Sequence, residues 1–151
     1  MATPYSDIYA SFLARIEEDD WLREEDLEVV DADMLEILKM AMFDFRFPRV
    51  TLALDGTNAA FTNTLTNAEI QVLATIMKVH WLRRQINHWR VVKQQYSTKD
   101  FEFSSQANHL DKLLKSLDSS EKELKRAFDT YDRSRGGAVY PYHELAGGTP
   151  E

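Results

Sequence analysis

Between Lys78 and Lys99 the chain interleaves cations with aromatic rings: Lys78, Trp81, Arg83, Arg84, Trp89, Arg90, Lys93, Tyr96 and Lys99. Rings stack on bases and cations pair with phosphates, so this pattern is one way to hold a nucleic-acid single strand. The spacing also puts Trp81 and Trp89 on the apolar face of a helix, and the core is the use we assign them. His80 and His88 stand eight residues apart near one helical face, with no carboxylate at ligand spacing between them. They read as ordinary polar positions, as do His109 and His143. Asp19, Asp20, Glu24, Glu25 and Asp26 form an acidic cluster, but the alternating ligands, central Gly and final Glu of a calcium loop are missing. The cluster reads as a solvated face. Gly56, Gly136, Gly137, Gly147 and Gly148 form no phosphate-cradling loop. With no cysteine and no serine in an elbow motif, nucleophilic catalysis lacks its usual carriers. The chain is expected to be no enzyme, with no cofactor and no metal.

Charge is distributed unevenly. Residues 1–45 carry thirteen Asp or Glu against Arg15, Arg23 and Lys39, a balance of −10. Residues 66–99 carry Glu69 alone against six Lys or Arg, a balance of +5. Three arrangements use this asymmetry. The acidic segment packs near the basic helix and each screens the other; the two patches meet across subunits of an oligomer; or the basic helix faces DNA, which the overall charge of −7 opposes.

The 151 residues fit one domain. A hydrophobic fraction of 44%, with three Trp, eight Phe and six Tyr, argues against disorder. The absence of cysteine excludes disulfides and fits a reducing compartment. No apolar run approaches the roughly 20 residues of a membrane span, and Met1-Ala2-Thr3-Pro4 lacks the basic and apolar regions of a signal peptide. A cytosol-like setting without a membrane partner is expected.

The element that must position these residues runs from Thr66 to Tyr96. Thr66-Asn67-Ala68-Glu69 is a capping box, followed by some thirty residues without Pro or Gly. Ile70, Leu73, Met77 and Trp81, continued by Gln85, fall on one face. Val72, Ile76, Val79, Leu82, Ile86 and Trp89 widen it until much of the circumference is apolar, as suits a central helix.

Before it, Tyr5, Ile8, Tyr9, Phe12, Leu13 and Ile16 give a first helix over residues 4–19. Trp21 then interrupts an acidic run, either tucking onto the core or anchoring a partner. Asp31 or Asp33 caps a second helix to about Phe43, with Val30, Met34, Ile37, Leu38, Ala41 and Met42 inward. Phe43, Phe45 and Phe47 before Pro48 look extended and core-facing. Val50–Leu54, a turn at Asp55-Gly56-Thr57-Asn58 and Ala59–Leu65 form a hairpin whose edge could be offered to a neighbouring subunit.

After the central helix, Phe101 and Phe103 mark a short extended connector. Ser104 or Ser105 caps a last helix, in which Leu110, Leu117, Leu124 and Tyr131 recur every seven residues and Ser120-Glu121 interrupts the seam. The sequence thus predicts a mainly α, four-helix module with a long central helix and a short β-hairpin. Residues 1–135 form a single helical domain, and residues 136–151 a flexible C-terminal tail. Val139, Tyr140, Tyr142 and Leu145 in that tail suit either a free terminus or a segment that orders on a partner.

Physics alone assigns this module no task. At Trp81-Leu82-Arg83-Arg84-Gln85-Ile86, with Tyr96-Ser97 and Asp100 to Leu110, the chain resembles small proteins from the neck-gene region of tailed bacteriophages. Phe47-Pro48-Arg49, Leu65-Thr66 and the stretch from Asp7-Ile8-Tyr9 to Phe12-Leu13 fit the same pattern, over roughly residues 6–135. The resemblance implies a virion protein of the neck: a head–tail connector, adaptor or head-completion protein, assembled in the host cytoplasm. Such proteins form homo-oligomeric rings, commonly of twelve copies, under the portal protein and against the next neck or tail protein. DNA passes through the ring without specific binding. Under that resemblance Trp21, Val139, Tyr140, Tyr142 and Leu145 are partner-binding candidates. Asp19, Asp20, Glu24, Glu25, Arg83, Arg84 and Arg90 are subunit-contact candidates. The alternative is a nucleic-acid-binding accessory protein that uses the basic face of the central helix.

Overall fold

At Thr66 the chain turns into its longest-range organiser. The Thr66 backbone N–H donates to Glu69 Oε2 at 2.7 Å, and the Glu69 N–H donates to Thr66 Oγ1 at 3.3 Å. This reciprocal cap starts a helix from Asn67 to Tyr96. The structure is a computed structural model and describes residues 2–16, 27–96 and 103–135. Its elements are α1 (Tyr5–Leu13), α2 (Leu27–Asp44), β1 (Leu54–Asp55), β2 (Ala60–Phe61), α3 (Asn67–Tyr96) and α4 (Phe103–Arg135). The chain is mainly helical with one two-stranded antiparallel sheet.

Helices α1, α2 and α4 all pack on α3. Every residue from Val72 to Met77 is buried. Six consecutive positions exceed one helical turn, so the middle of α3 is covered on all sides. Ile8 and Phe12 of α1, Ile37 and Leu38 of α2, and Leu113 and Tyr131 of α4 close this core. Helices α3 and α4 run antiparallel: Trp89 meets His109 near one end, with ring centroids 4.7 Å apart, and Glu69 meets Tyr131 near the other.

Several boundaries differ from the sequence expectation. Helix α1 ends at Leu13 rather than near Asp20. The Arg15 and Ile16 N–H groups bond back only three residues, to the Phe12 and Leu13 carbonyls, which tightens the last turn until the helix stops. Helix α2 begins at Leu27, so Asp31 and Asp33 are not caps but lie within it. Nothing between Leu27 and Met34 breaks a helix, and acids in its first turns suit the positive end of the helix dipole. Helix α4 takes in Phe103, Ser104 and Ser105 from its start, so Phe103 is helical, not extended. Ser120 does not interrupt the α4 seam: it is buried within it, between the half-buried Leu117 and Leu124.

The aromatic trio divides. Phe45 is core, edge-on to Tyr131 at 5.3 Å and to Phe128 at 5.9 Å. Phe43 and Phe47, expected to face inward, are exposed. Helix α2 runs on through Phe43, which fixes its ring on the outer side. Phe47 is not extended but left-handed, with φ 51. Pro48 disfavours the right-handed helical region at Phe47, and the chain reverses there instead of running straight.

The hairpin is shorter than expected. Beyond the Leu54–Phe61 pairing the Thr62 N–H still donates to the Ala53 carbonyl at 2.9 Å, and then Asn63 Nδ2 donates to the Thr51 carbonyl at 2.9 Å, where a side chain replaces the ladder. Asp55 makes the turn, accepting the Thr57 and Asn58 N–H groups on Oδ1 and the Asn58 amide on Oδ2. These bonds, the Asn58 side chain foremost, hold its carboxyl below the usual value. The far side of β2 is taken by the chain's own start, not left for a neighbour. Phe61 N–H donates to the Thr3 carbonyl at 2.8 Å, and Tyr5 N–H to the Ala59 carbonyl at 2.9 Å.

Candidate functional site

Tyr131 is the hub of a buried polar cluster. Its hydroxyl donates to Glu69 Oε1 at 3.1 Å and accepts the Arg49 backbone N–H at 2.9 Å. The Arg49 guanidinium lies 5.1 Å from the ring centroid. Glu69 is fully buried, and both its oxygens accept hydrogen bonds. Burial raises the Tyr131 hydroxyl above its ordinary pKa, opposed by the Arg49 N–H and reinforced by Glu69. Each member already has its partner here, so the cluster holds the start of α3, the end of α4 and the loop at Arg49 together rather than facing a substrate.

The basic candidates on α3 are exposed, and two have partners in the chain. Arg84 Nη1 reaches Asp33 Oδ1 of α2 at 2.6 Å, and Arg83 Nη2 reaches Glu121 Oε1 of α4 at 3.0 Å. The acidic and basic stretches thus screen each other at Asp33–Arg84. Arg90 is exposed with no ion pair among the described residues. His80, for which no carboxylate partner was evident from spacing, meets Asp44 Oδ2 at 2.6 Å across 36 residues. Trp81 is buried and Trp89 half-buried, as the core reading has them. Trp21, Asp19, Asp20, Glu24, Glu25, Val139, Tyr140, Tyr142 and Leu145 lie outside the described residues. So does Lys99, and no side-chain placement is described for Lys93 or Tyr96.

Sequence reasoning missed one surface. Met40, Phe43 and Phe47 are 51%, 91% and 72% exposed. Met40 and Phe43 stand one turn apart on the outer side of α2. The spacing of Phe43, Phe45 and Phe47 concealed this, because alternation suggests a strand where the chain is still finishing a helix.

Two concavities lie among the described residues. An open groove of about 650 Å³ lies between α1, α2 and the hairpin, with Tyr5, Tyr9, Leu35 and Leu54 on its walls and Asp31 and Lys39 among its polar groups. A smaller cavity of about 210 Å³ lies between α1, α3 and α4. Burial, then the charge of Asp31, then Tyr5, push the Tyr9 hydroxyl up to about 12. Among the described residues no group of three or more His, Asp or Glu could hold a metal ion. No helix among them is long and apolar enough to cross a membrane.

Comparison with protein-family models, with curated proteins and with solved structures found no match.

Proposed function

We propose that this chain is a structural virion protein of a tailed phage, a head–tail connector adaptor. On this reading copies form a ring below the portal protein and join capsid to tail around the DNA channel. It works by interlocking surfaces and makes or breaks no covalent bond. The observation that carries the reading is the exposed trio Met40, Phe43 and Phe47. A ring as exposed as that of Phe43 does little for the fold, and at Phe47 a bulky residue in the left-handed region strains it. Both are accounted for where another chain covers the patch. The sequence resemblance to phage neck proteins supports the same conclusion and supplies the partners: further copies, the portal, and the next neck or tail protein.

Arg83 and Arg84 are engaged with Glu121 and Asp33, which favours the adaptor over the DNA-binding accessory reading. A duplex sliding through a ring also needs walls that do not grip it. The test is to co-express the full chain with the portal protein of its particle, then weigh and image the product. The expected product is a ring seated on the portal. In the Phe43→Ser, Phe47→Ser double variant the helical circular dichroism persists and the assembly is lost. A chain that stays monomeric and never joins portal or tail overturns the proposal.

A further inference from the structure

The smaller cavity collects positive charge from three elements. Arg15 follows the end of α1, Lys78 stands in the middle of α3 and Lys112 in the first half of α4. His109 adds an imidazole, Ser116 a hydroxyl and Trp81 an aromatic wall, and among the described residues no Asp or Glu lines it. The acids nearest in sequence on α4 are engaged elsewhere: Asp111 holds Lys115 and Asp118 holds Lys122, each at 2.9 Å. Lys78 and Lys112 make no ion pair among the described residues.

Arg15 is fixed in place without being neutralised. Its Nη1 donates to the Ser11 carbonyl at 2.6 Å and to Ser11 Oγ at 2.7 Å, and its Nη2 donates to the Gln71 side-chain oxygen. All three acceptors are uncharged. Its Nε is buried and has no hydrogen-bond partner among the described residues. Three cations around one small concavity also repel one another, and an anion among them relieves that repulsion. Arginine and lysine donors beside a serine hydroxyl are the usual means of holding a compact oxyanion. The volume falls below the roughly 300–1,000 Å³ of sites that take drug-sized ligands.

We infer that this cavity is a binding site for one small phosphate-class oxyanion, such as inorganic phosphate, pyrophosphate or the terminal phosphate of a small ester. The site is independent of the adaptor reading. Its cations come from three helices around a recess, which suits a discrete group better than the continuous backbone of a nucleic acid. Bound there, the anion links the end of α1 to α3 and α4.

The test is a ¹⁵N–¹H NMR titration of the full chain with pyrophosphate at constant ionic strength. The expected result is saturable one-site binding, with shifts confined to the amides around Arg15, Ile16, Lys112 and Ser116. Lys112→Ala and Lys78→Ala, each on a side chain that is not fully buried, should weaken it about tenfold or more. Arg90→Ala, on a residue that does not line the cavity, should leave it unchanged. Three results overturn the assignment. One is a response that never saturates or spreads over the whole basic surface. Another is equal affinity in the wild type and both lysine variants. The third is displacement of pyrophosphate by a DNA duplex at equal phosphate concentration, which would make the site part of a nucleic-acid surface.

Discussion

Glu69 is a carboxylate with no exposure to water, and it is tolerated because its oxygens are answered. Half of that answer was legible in advance. Thr66 and Glu69 are three residues apart, and a capping box is a local pattern. The other half was not, because Tyr131 lies 62 residues away and nothing at that range marks a tyrosine as the partner. Tyr131→Phe keeps the ring and deletes the hydroxyl, leaving Glu69 Oε1 and the Arg49 N–H each without that partner. It should destabilise the chain by about 1–3 kcal/mol, read as a lower urea midpoint with unchanged slope. The tyrosines also set an alkaline limit. Tyr5, Tyr9 and Tyr131 all have pKa values raised in the fold, with burial as the first cause. A raised value means that the neutral form is favoured in the folded state. The stabilisation is therefore complete below the ordinary tyrosine value of about 10 and is lost as pH climbs through the folded values. For Tyr9 that places the loss between the ordinary value and about 12. Thermal melts across this range should fall steeply, and Tyr9→Phe should make the fall shallower.

At the scale of elements, the three outer helices are explained by what each offers α3. Their existence and inward faces were readable from three-and-four spacing: Ile8 and Phe12, Ile37 and Leu38, Leu113 and Tyr131 are all core. Their starts were not, since the other cap candidates Asp31, Asp33, Ser104 and Ser105 lie downstream and competed with the true starts, although Asp26 directly precedes Leu27. Ser120 misled for a related reason: a polar residue reads as a gap in a seam until its burial is seen. The end of α2 is the informative failure. A rule about alternation favoured a strand, while helix continuity through Asp44 and the restriction imposed by Pro48 decided the outcome. Phe47 is left with φ 51, where glycine would sit without strain. Phe47→Gly should therefore raise the stability of the isolated chain by roughly 1 kcal/mol. The same variant should weaken assembly. Opposite signs for folding and association, measured by denaturation and by mass photometry, identify a residue kept for its contact.

For the whole molecule, a charge of −7 conceals a division of labour. Part of the asymmetry is consumed within the chain, at Arg84–Asp33 and Arg83–Glu121, and part stands outward at Arg90. The two ion pairs are half exposed, so each contributes little: Arg84→Ala should cost under about 1 kcal/mol. Arg90→Glu should leave the melting temperature within error. If copies meet head to tail, with the basic face of one against the acidic face of the next, Arg90→Glu should nonetheless weaken the oligomer, most strongly at low salt. Sedimentation at two salt concentrations decides it. Association that ignores both the substitution and the salt would remove charge from the subunit contact. Composition revealed that the asymmetry exists. Which side chains meet inside one chain depends on how α2 and α4 lie across α3, and no local pattern encodes that.

The amino end has a consequence of its own. Thr3 is buried, its hydroxyl accepts the Leu65 N–H at 2.8 Å, and its carbonyl accepts from Phe61. Thr3 is synthesised about sixty residues before its docking partners. The stretch from Thr3 to Phe12 must therefore wait, its apolar stripe of Tyr5, Ile8 and Phe12 uncovered, until the hairpin emerges. Nascent chains stalled before Phe61 should be the form of this protein most readily cut by protease and most readily held by a chaperone.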